Sequence, residues 1–229
     1  MSKLQIVNLT NQAVRRAKTE HEALNVDYYK WEYGHLANSF SRGDIEDINV
    51  TADHLLFIYL SAMAKNIEGI WKVCIPTEEL ANDLDMSKQN INRSIEKLIV
   101  QSLIVDTNEK KNRHRVFTIP RPYNYKSDYI VPIILAVTKS IPLSLKLFIL
   151  KLQLIMPSNK SSIYEFSSVR DLRKIVNNHE SVMNNLSILD EKGLIHVDKN
   201  NTKKIDLKEV YHYLHNEYIT DTVRKKNLV

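Results

Sequence analysis

The chain has 229 residues, 43% apolar and 26% charged, with four glycines and six prolines. It is long enough for one large or two small domains, and low glycine argues against disordered linkers. A single cysteine, Cys74, excludes an internal disulfide framework and any zinc site built on several thiolates.

No run reaches the roughly 18 apolar residues that a membrane span needs, so no membrane partner is expected. The stretch MSKLQIVNLTNQ lacks the apolar run of a signal peptide, and the expected location is cytoplasmic. Net charge is +5, unevenly spread. Residues 1–50 hold 6 basic and 7 acidic side chains, residues 86–125 hold 8 and 3, and residues 126–229 hold 16 and 11. Such clustering points toward an anionic partner.

Residues 1–50 read as an N-terminal helical extension, with a helix over 10–24 and a loop over 41–49. Tyr29, Trp31 and Tyr33 alternate in between. That stripe packs a strand or loop onto the domain, or stacks on nucleobases; packing is the commoner use. An apolar helix follows over 51–65, then an extended piece over 71–75. A short helix over 77–84 opens at Thr77, with Glu78 and Glu79 where the helix dipole favours acid. A longer helix over 87–101 has Ser87 as its cap. Strands over 103–107 and 114–119 flank a charged loop, NEKKNR.

Residues 120–132 read as a link, broken by Pro120, Pro122 and Pro132. A short helix within 133–140 is expected between two halves. The element order then recurs: a helix over 143–155, an extended piece over 162–166, and helices over 168–176 and 179–192, the latter stopped by Gly193. Strands over 194–197 and 204–207 flank DKNNTK. A final helix over 206–229 carries Val210, Tyr213, Leu214 and Tyr218 as one apolar stripe. That stripe docks on the second half or pairs with a second copy in a homodimer. Arg224, Lys225 and Lys226 read as a solvated end or a phosphate contact, the former being the commoner case.

The recurrence holds residue by residue. Phe57 matches Phe148, Ile91 matches Val182, Ile95 matches Leu186, Leu98 matches Leu189, and Leu103 and Ile104 match Leu194 and Ile195, always at an offset of 91. Leu80 to Leu172 is 92, so the second copy has one residue fewer in its turn.

At 100° per residue, Ile91, Ile95 and Leu98 form one inward seam on the helix from Ser87. Gln89 and Arg93 lie nearly opposite, flanked by Asn90 and Asn92. Arginine forks onto guanine and glutamine or asparagine onto adenine, so these four are the candidate base readers. Ser87, Lys88 and Lys97, with Lys110, Lys111, Arg113 and Arg115 on the hairpin, are the candidate phosphate contacts. A polar outward face is also the default of any solvated helix; the turn, the charged hairpin and the repeat weigh toward DNA. The second copy differs: Glu180 and Asn184 stand where Gln89 and Arg93 do. Its candidates are Arg170, Arg173, Lys174, Asn184, Lys199, Lys203 and Lys204. They bind DNA mainly through its backbone, or the unit serves as an interaction module.

Helix, strand, helix, turn, helix, strand, loop, strand resembles the winged helix-turn-helix family, twice over. The better match is TEELANDLDMSKQNINRSIEKLIVQSLIV with RHRVFTI. The resemblance implies a mainly α protein with small β-wings (α+β). It would consist of two tandem winged-helix domains, 51–119 and 142–229, joined by a linker over 120–141. Tandem units in a chain of this length resemble plasmid and phage replication initiators, which bind repeated origin sites in double-stranded DNA and recruit replication proteins. In those initiators the second domain carries much of the base contact, whereas here the first is better equipped. A winged-helix transcriptional regulator working with transcription proteins is the rival reading, and a nonenzymatic adaptor the third.

No catalytic constellation is evident. His212 and His215 have ligand spacing but no completing group, no His–apolar–His triplet occurs, and no P-loop pattern is present. Neither a metal nor a cofactor is expected.

Overall fold

A computed structural model describes residues 33–36, 50–120, 129–156, 162–173, 176 and 178–227. Among these, eight helices accompany a two-stranded ribbon and two small antiparallel sheets. The fold is mixed α+β.

The ribbon pairs β1 (Tyr33–Leu36) with a strand from the expected link, Tyr129–Pro132. Helix α1 (Ala52–Met63) packs beside β1. It opens at Thr51, whose backbone N–H donates to Nδ1 of His54 at 3.1 Å. It ends two residues short of the expected Lys65, because β2 (Lys65–Ile67) folds back on β3 (Ile70–Val73). Glu68 and Gly69 turn that hairpin at φ 53° and 84°, the left-handed pair that suits strand twist. Helices α2 (Thr77–Leu84) and α3 (Lys88–Val100) follow, then β4 (Val105–Lys111) and β5 (His114–Ile119). The order of this sheet is β2-β3-β5-β4. Pro76, rather than Thr77, caps α2, and Thr77 is its first residue.

β6 (Tyr129–Pro132) and α4 (Ile134–Val137) occupy the segment expected to be a linker. Helix α4 falls where a short helix between the halves was expected, and the segment is core rather than a bare link: Val131, Ile133, Ile134, Leu135, Ala136, Val137 and Ile141 are all buried. Pro132 is tolerated because it ends a strand of an isolated ribbon. Helix α4 touches α1, α2 and two later helices. Those are α5 (Leu143–Ile155) and α8 (Leu207–Asn227). Lys146 of α5 is 3% exposed and donates its Nζ to the Ala136 carbonyl at 3.0 Å; burial pushes it down to about 8.

β7 (Ile163–Phe166), α6 (Val169–Arg173), α7 (His179–Glu191), β8 (His196–Val197) and β9 (Lys203–Asp206) complete the second half. Its sheet order is β7-β9-β8. Strand for strand this repeats β3-β5-β4, all antiparallel. The 91-residue spacing reaches the helix ends. Ser102 (φ 56°) and Gly193 (φ 69°) follow α3 and α7 in the same left-handed conformation. Leu103 N–H bonds the Leu98 carbonyl, and Leu194 N–H the Leu189 carbonyl, each at 2.9 Å. It also reaches a contact with no local signature: Ser94 on α3 donates to the Asp53 carboxylate on α1, and Ser144 on α5 donates to Oδ1 of Asn185 on α7.

The buried side chains form one cluster through both halves. Phe57 and Phe148 are 4% and 1% exposed, equivalent anchors of the two first helices. Of the expected stripe on α8, Val210 and Leu214 are buried within the chain and Tyr213 and Tyr218 are partly buried against the core, while Tyr211 and His215, outside that stripe, are buried too. Tyr29, Trp31, the helix expected over 10–24 and Lys174 lie outside the described residues.

Candidate nucleic-acid interface

The turn between α2 and α3 is made by Asp85 at φ 55°, ψ 46°. Aspartate tolerates this left-handed region better than most residues. Met86 N–H returns to the Ala81 carbonyl at 2.9 Å, closing the end of α2. Ser87 then caps α3, its Oγ accepting from Asn90 N–H at 3.1 Å. That hydroxyl serves the helix; what the residue offers a phosphate lies beside it, in the unpaired N–H groups of the first turn.

Ile91, Ile95 and Leu98 are 0–2% exposed, as the periodicity requires. Ser94 joins them at 4%, a polar residue in an apolar seam. Its partner is Asp53, which also receives Lys97 Nζ at 3.0 Å. Burial raises the Asp53 carboxyl, but hydrogen bonds from Ser94, Lys97 and Thr51 outweigh it and hold the group below its ordinary value. Lys97 therefore has an internal partner, unlike the phosphate contact expected of it. Gln89, Asn90, Asn92 and Arg93 are all exposed. No described side chain forms an ion pair with Arg93. Lys88 meets Glu78 at 3.3 Å with both side chains largely exposed. Such pairs contribute about 0–1 kcal/mol and are readily exchanged for a phosphate.

The hairpin is tighter than the loop expected over 108–113. β4 runs to Lys111, and only Asn112 and Arg113 form the turn, at φ 52° and 69°. Asn108 bulges at φ 58°, its N–H donating to Asp106 Oδ1 at 2.9 Å. Lys110, Lys111 and Arg113 are exposed at the tip, with no ion pair among the described residues. Arg115 is placed differently from the phosphate contact expected of it. Its Nε and one terminal nitrogen bind Asp106 Oδ2 at 2.8 and 2.6 Å, and the other terminal nitrogen binds Glu96 Oε1 at 3.0 Å. The guanidinium also lies 5.1 Å from the Phe117 ring centre. Glu96 belongs to α3 and Asp106 to β4, so this side chain joins helix to hairpin.

In the second half Asn178 caps α7, accepting from Glu180 N–H at 3.0 Å and Ser181 N–H at 3.3 Å. Val182, Asn185, Leu186 and Leu189 face inward. Glu180, Met183, Asn184, Ser187, Asp190 and Glu191 are exposed. Arg170, Lys199 and Lys203 are exposed, whereas Lys204 meets Glu165 at 2.9 Å and Asp198 at 3.6 Å. Arg173 ends α6; its side chain lies outside the described residues, as does Lys174. Asp198 accepts from Asn200 and Thr202 N–H groups at 2.8 and 2.9 Å, closing the loop between β8 and β9.

Sequence reasoning anticipated that Gln89, Asn90, Asn92, Arg93, Lys110, Lys111 and Arg113 would be exposed, as they are. It missed Ser94, Asp53 and the Arg115 partners, whose contacts span 19 to 44 residues or join separate strands. Among the described residues no group of three His, Cys, Asp or Glu side chains could hold a metal, and no helix is long and apolar enough to cross a membrane. No protein-family model, curated protein or solved structure matches the chain, so its reading rests on these residues alone.

Proposed function

We propose that the chain is a sequence-specific double-stranded DNA-binding protein built from two tandem winged-helix units, 51–119 and 142–229. The repeated strand order, β3-β5-β4 and β7-β9-β8, supports the tandem reading. The observation that carries DNA binding is a juxtaposition in the first unit. Gln89 and Arg93 stand exposed on α3, and Arg115 ties that helix to a hairpin whose tip carries Lys110, Lys111 and Arg113. A major groove accepts the helix, Arg93 suits guanine and Gln89 adenine, and the tip cations suit phosphates.

The role that fits best is replication initiation at repeated origin sites on a plasmid or phage, with winged-helix transcriptional regulation as the rival. The acidic face of α7 favours a protein contact for the second unit, the adaptor reading confined to one half. Selection of duplexes from a random pool, followed by salt titration, tests the proposal. Four exposed cations, Lys88, Lys110, Lys111 and Arg113, predict a log–log salt slope of about −3 to −4. Selected sites in direct repeat favour an initiator, and two-fold sites favour a dimeric regulator. A chain that selects no sequence and binds no duplex at low salt is not a DNA-binding protein.

A further inference from the structure

We propose that Arg115 is a positioning residue that sets the angle between the reading helix and the hairpin, and that this angle determines sequence specificity. The inference rests on the DNA-binding reading above.

Arg115 sits near the tip of the hairpin, paired with Lys110 two positions beyond the turn residue Arg113, and its side chain reaches back to Asp106. Its fork is satisfied on both sides, by Asp106 of β4 and Glu96 of α3, and the plane is backed by Phe117. The arginine and its two carboxylates together carry one net negative charge, which a phosphate contact would not use. The side chains of Arg115 and Glu96 are 39% and 62% exposed, so their pair is a weak source of stability. What a guanidinium held by two carboxylates supplies is direction: planar, forked bonds hold both partners in one arrangement. Lysine, a point charge on a flexible stem, would not reproduce it.

The second unit sharpens the case. By the repeat, Ser187 stands at the place of Glu96 and bonds Glu191 on its own helix. The same offset puts Val197 at the place of Asp106, so neither carboxylate that holds Arg115 recurs in the second unit. The clamp is therefore present in the unit whose helix carries groove-reading residues and absent from the unit whose helix is acidic.

The sign of one substitution separates positioning from simple electrostatics. Glu96→Gln removes a negative charge beside the proposed groove, so charge alone would tighten binding to every duplex. If the clamp orients the hairpin, affinity for the selected duplex instead falls by about five- to tenfold, the scale of one ordinary hydrogen bond. Affinity for a random duplex holds or rises. Arg115→Lys should lower the ratio of selected to random binding in the same way, with the salt slope on random DNA unchanged. Matching thermal transitions in wild type and Glu96→Gln show that the fold is intact. The proposal is overturned if Glu96→Gln leaves that ratio unchanged. It is also overturned if Arg115→Ala weakens both duplexes equally and reduces the slope by about one, the mark of a direct phosphate contact. A wild-type chain that binds no duplex overturns the underlying reading, and this proposal with it.

Discussion

Helices α3 and α7 hold the same station in the two halves and present opposite surfaces. Each buries its seam against the first helix of its half, each is followed by a left-handed residue, and each leads into the same strand order. Yet α3 carries Lys88, Arg93 and Lys97 against one acid, Glu96, whereas α7 carries Glu180, Asp190 and Glu191 and neither lysine nor arginine. Even the polar contact between the first helix of each half and α3 or α7 is kept in place while its chemistry changes. Asp53 with Ser94 and Lys97 is a charged network, and Ser144 with Asn185 is a neutral pair. Packing constrains where such a contact sits, because both helices meet there. It does not constrain whether the contact is ionic, because each version satisfies its polar atoms.

The comparison is broken most severely in the core. Phe57→Ala and Phe148→Ala should each cost about 3–5 kcal/mol. Because one cluster runs through both halves, each variant should unfold in a single shifted transition by chemical denaturation. Two separated transitions would show that the halves are energetically independent.

A pH titration of stability probes an asymmetry next in size. His215 on α8 is 1% exposed, and burial pushes it down to about 4, with His212 adding to the effect. Its native state is neutral, while the unfolded chain binds a proton near the ordinary value of about 6.5. Stability is therefore complete above that value and falls as pH drops from about 6.5 toward 4, by up to about 3 kcal/mol. His54 in the first half acts in the same direction, through burial. His215→Gln should flatten most of this slope in urea melts, and an unchanged slope would assign it to other groups.

At the proposed DNA-binding surface, Arg93→Ala should cost about 1–3 kcal/mol on the selected duplex and relax preference at one base pair. Asn184→Ala, on the corresponding face of α7, should leave affinity within about twofold, the scatter of a neutral surface change. Lys111→Ala should weaken all duplexes alike. Reversed effects at Arg93 and Asn184 in equilibrium binding would transfer the reading role to the second unit.

The smallest test lies at the paired helix ends. Ser102 holds a left-handed conformation that favours glycine, so Ser102→Gly should stabilise by up to about 1 kcal/mol. Gly193→Ala should destabilise by about 1–2 kcal/mol through backbone strain alone, since a methyl group there meets nothing within 4 Å. Thermal melts that showed both changes with the same sign would break the equivalence of the two ends.

How much was legible in the residues follows the range of the forces involved. Apolar spacing acts within a turn or two, so the inward faces of α3 and α7 and the 91-residue recurrence could be read directly, as could Gly193 as a stop. The exposed positions of Gln89, Asn90, Asn92 and Arg93 follow from the same periodicity by exclusion from the seam. Tertiary structure decided the rest. It turned the supposed linker into core, because β6 found a partner about a hundred residues earlier in the chain. It took Lys97, Arg115 and Lys204 into ion pairs, because their partners sit on other elements, brought near only when the sheets and helices close. A cation's sign is written in the sequence; whether it meets a carboxylate or solvent depends on the packing that surrounds it.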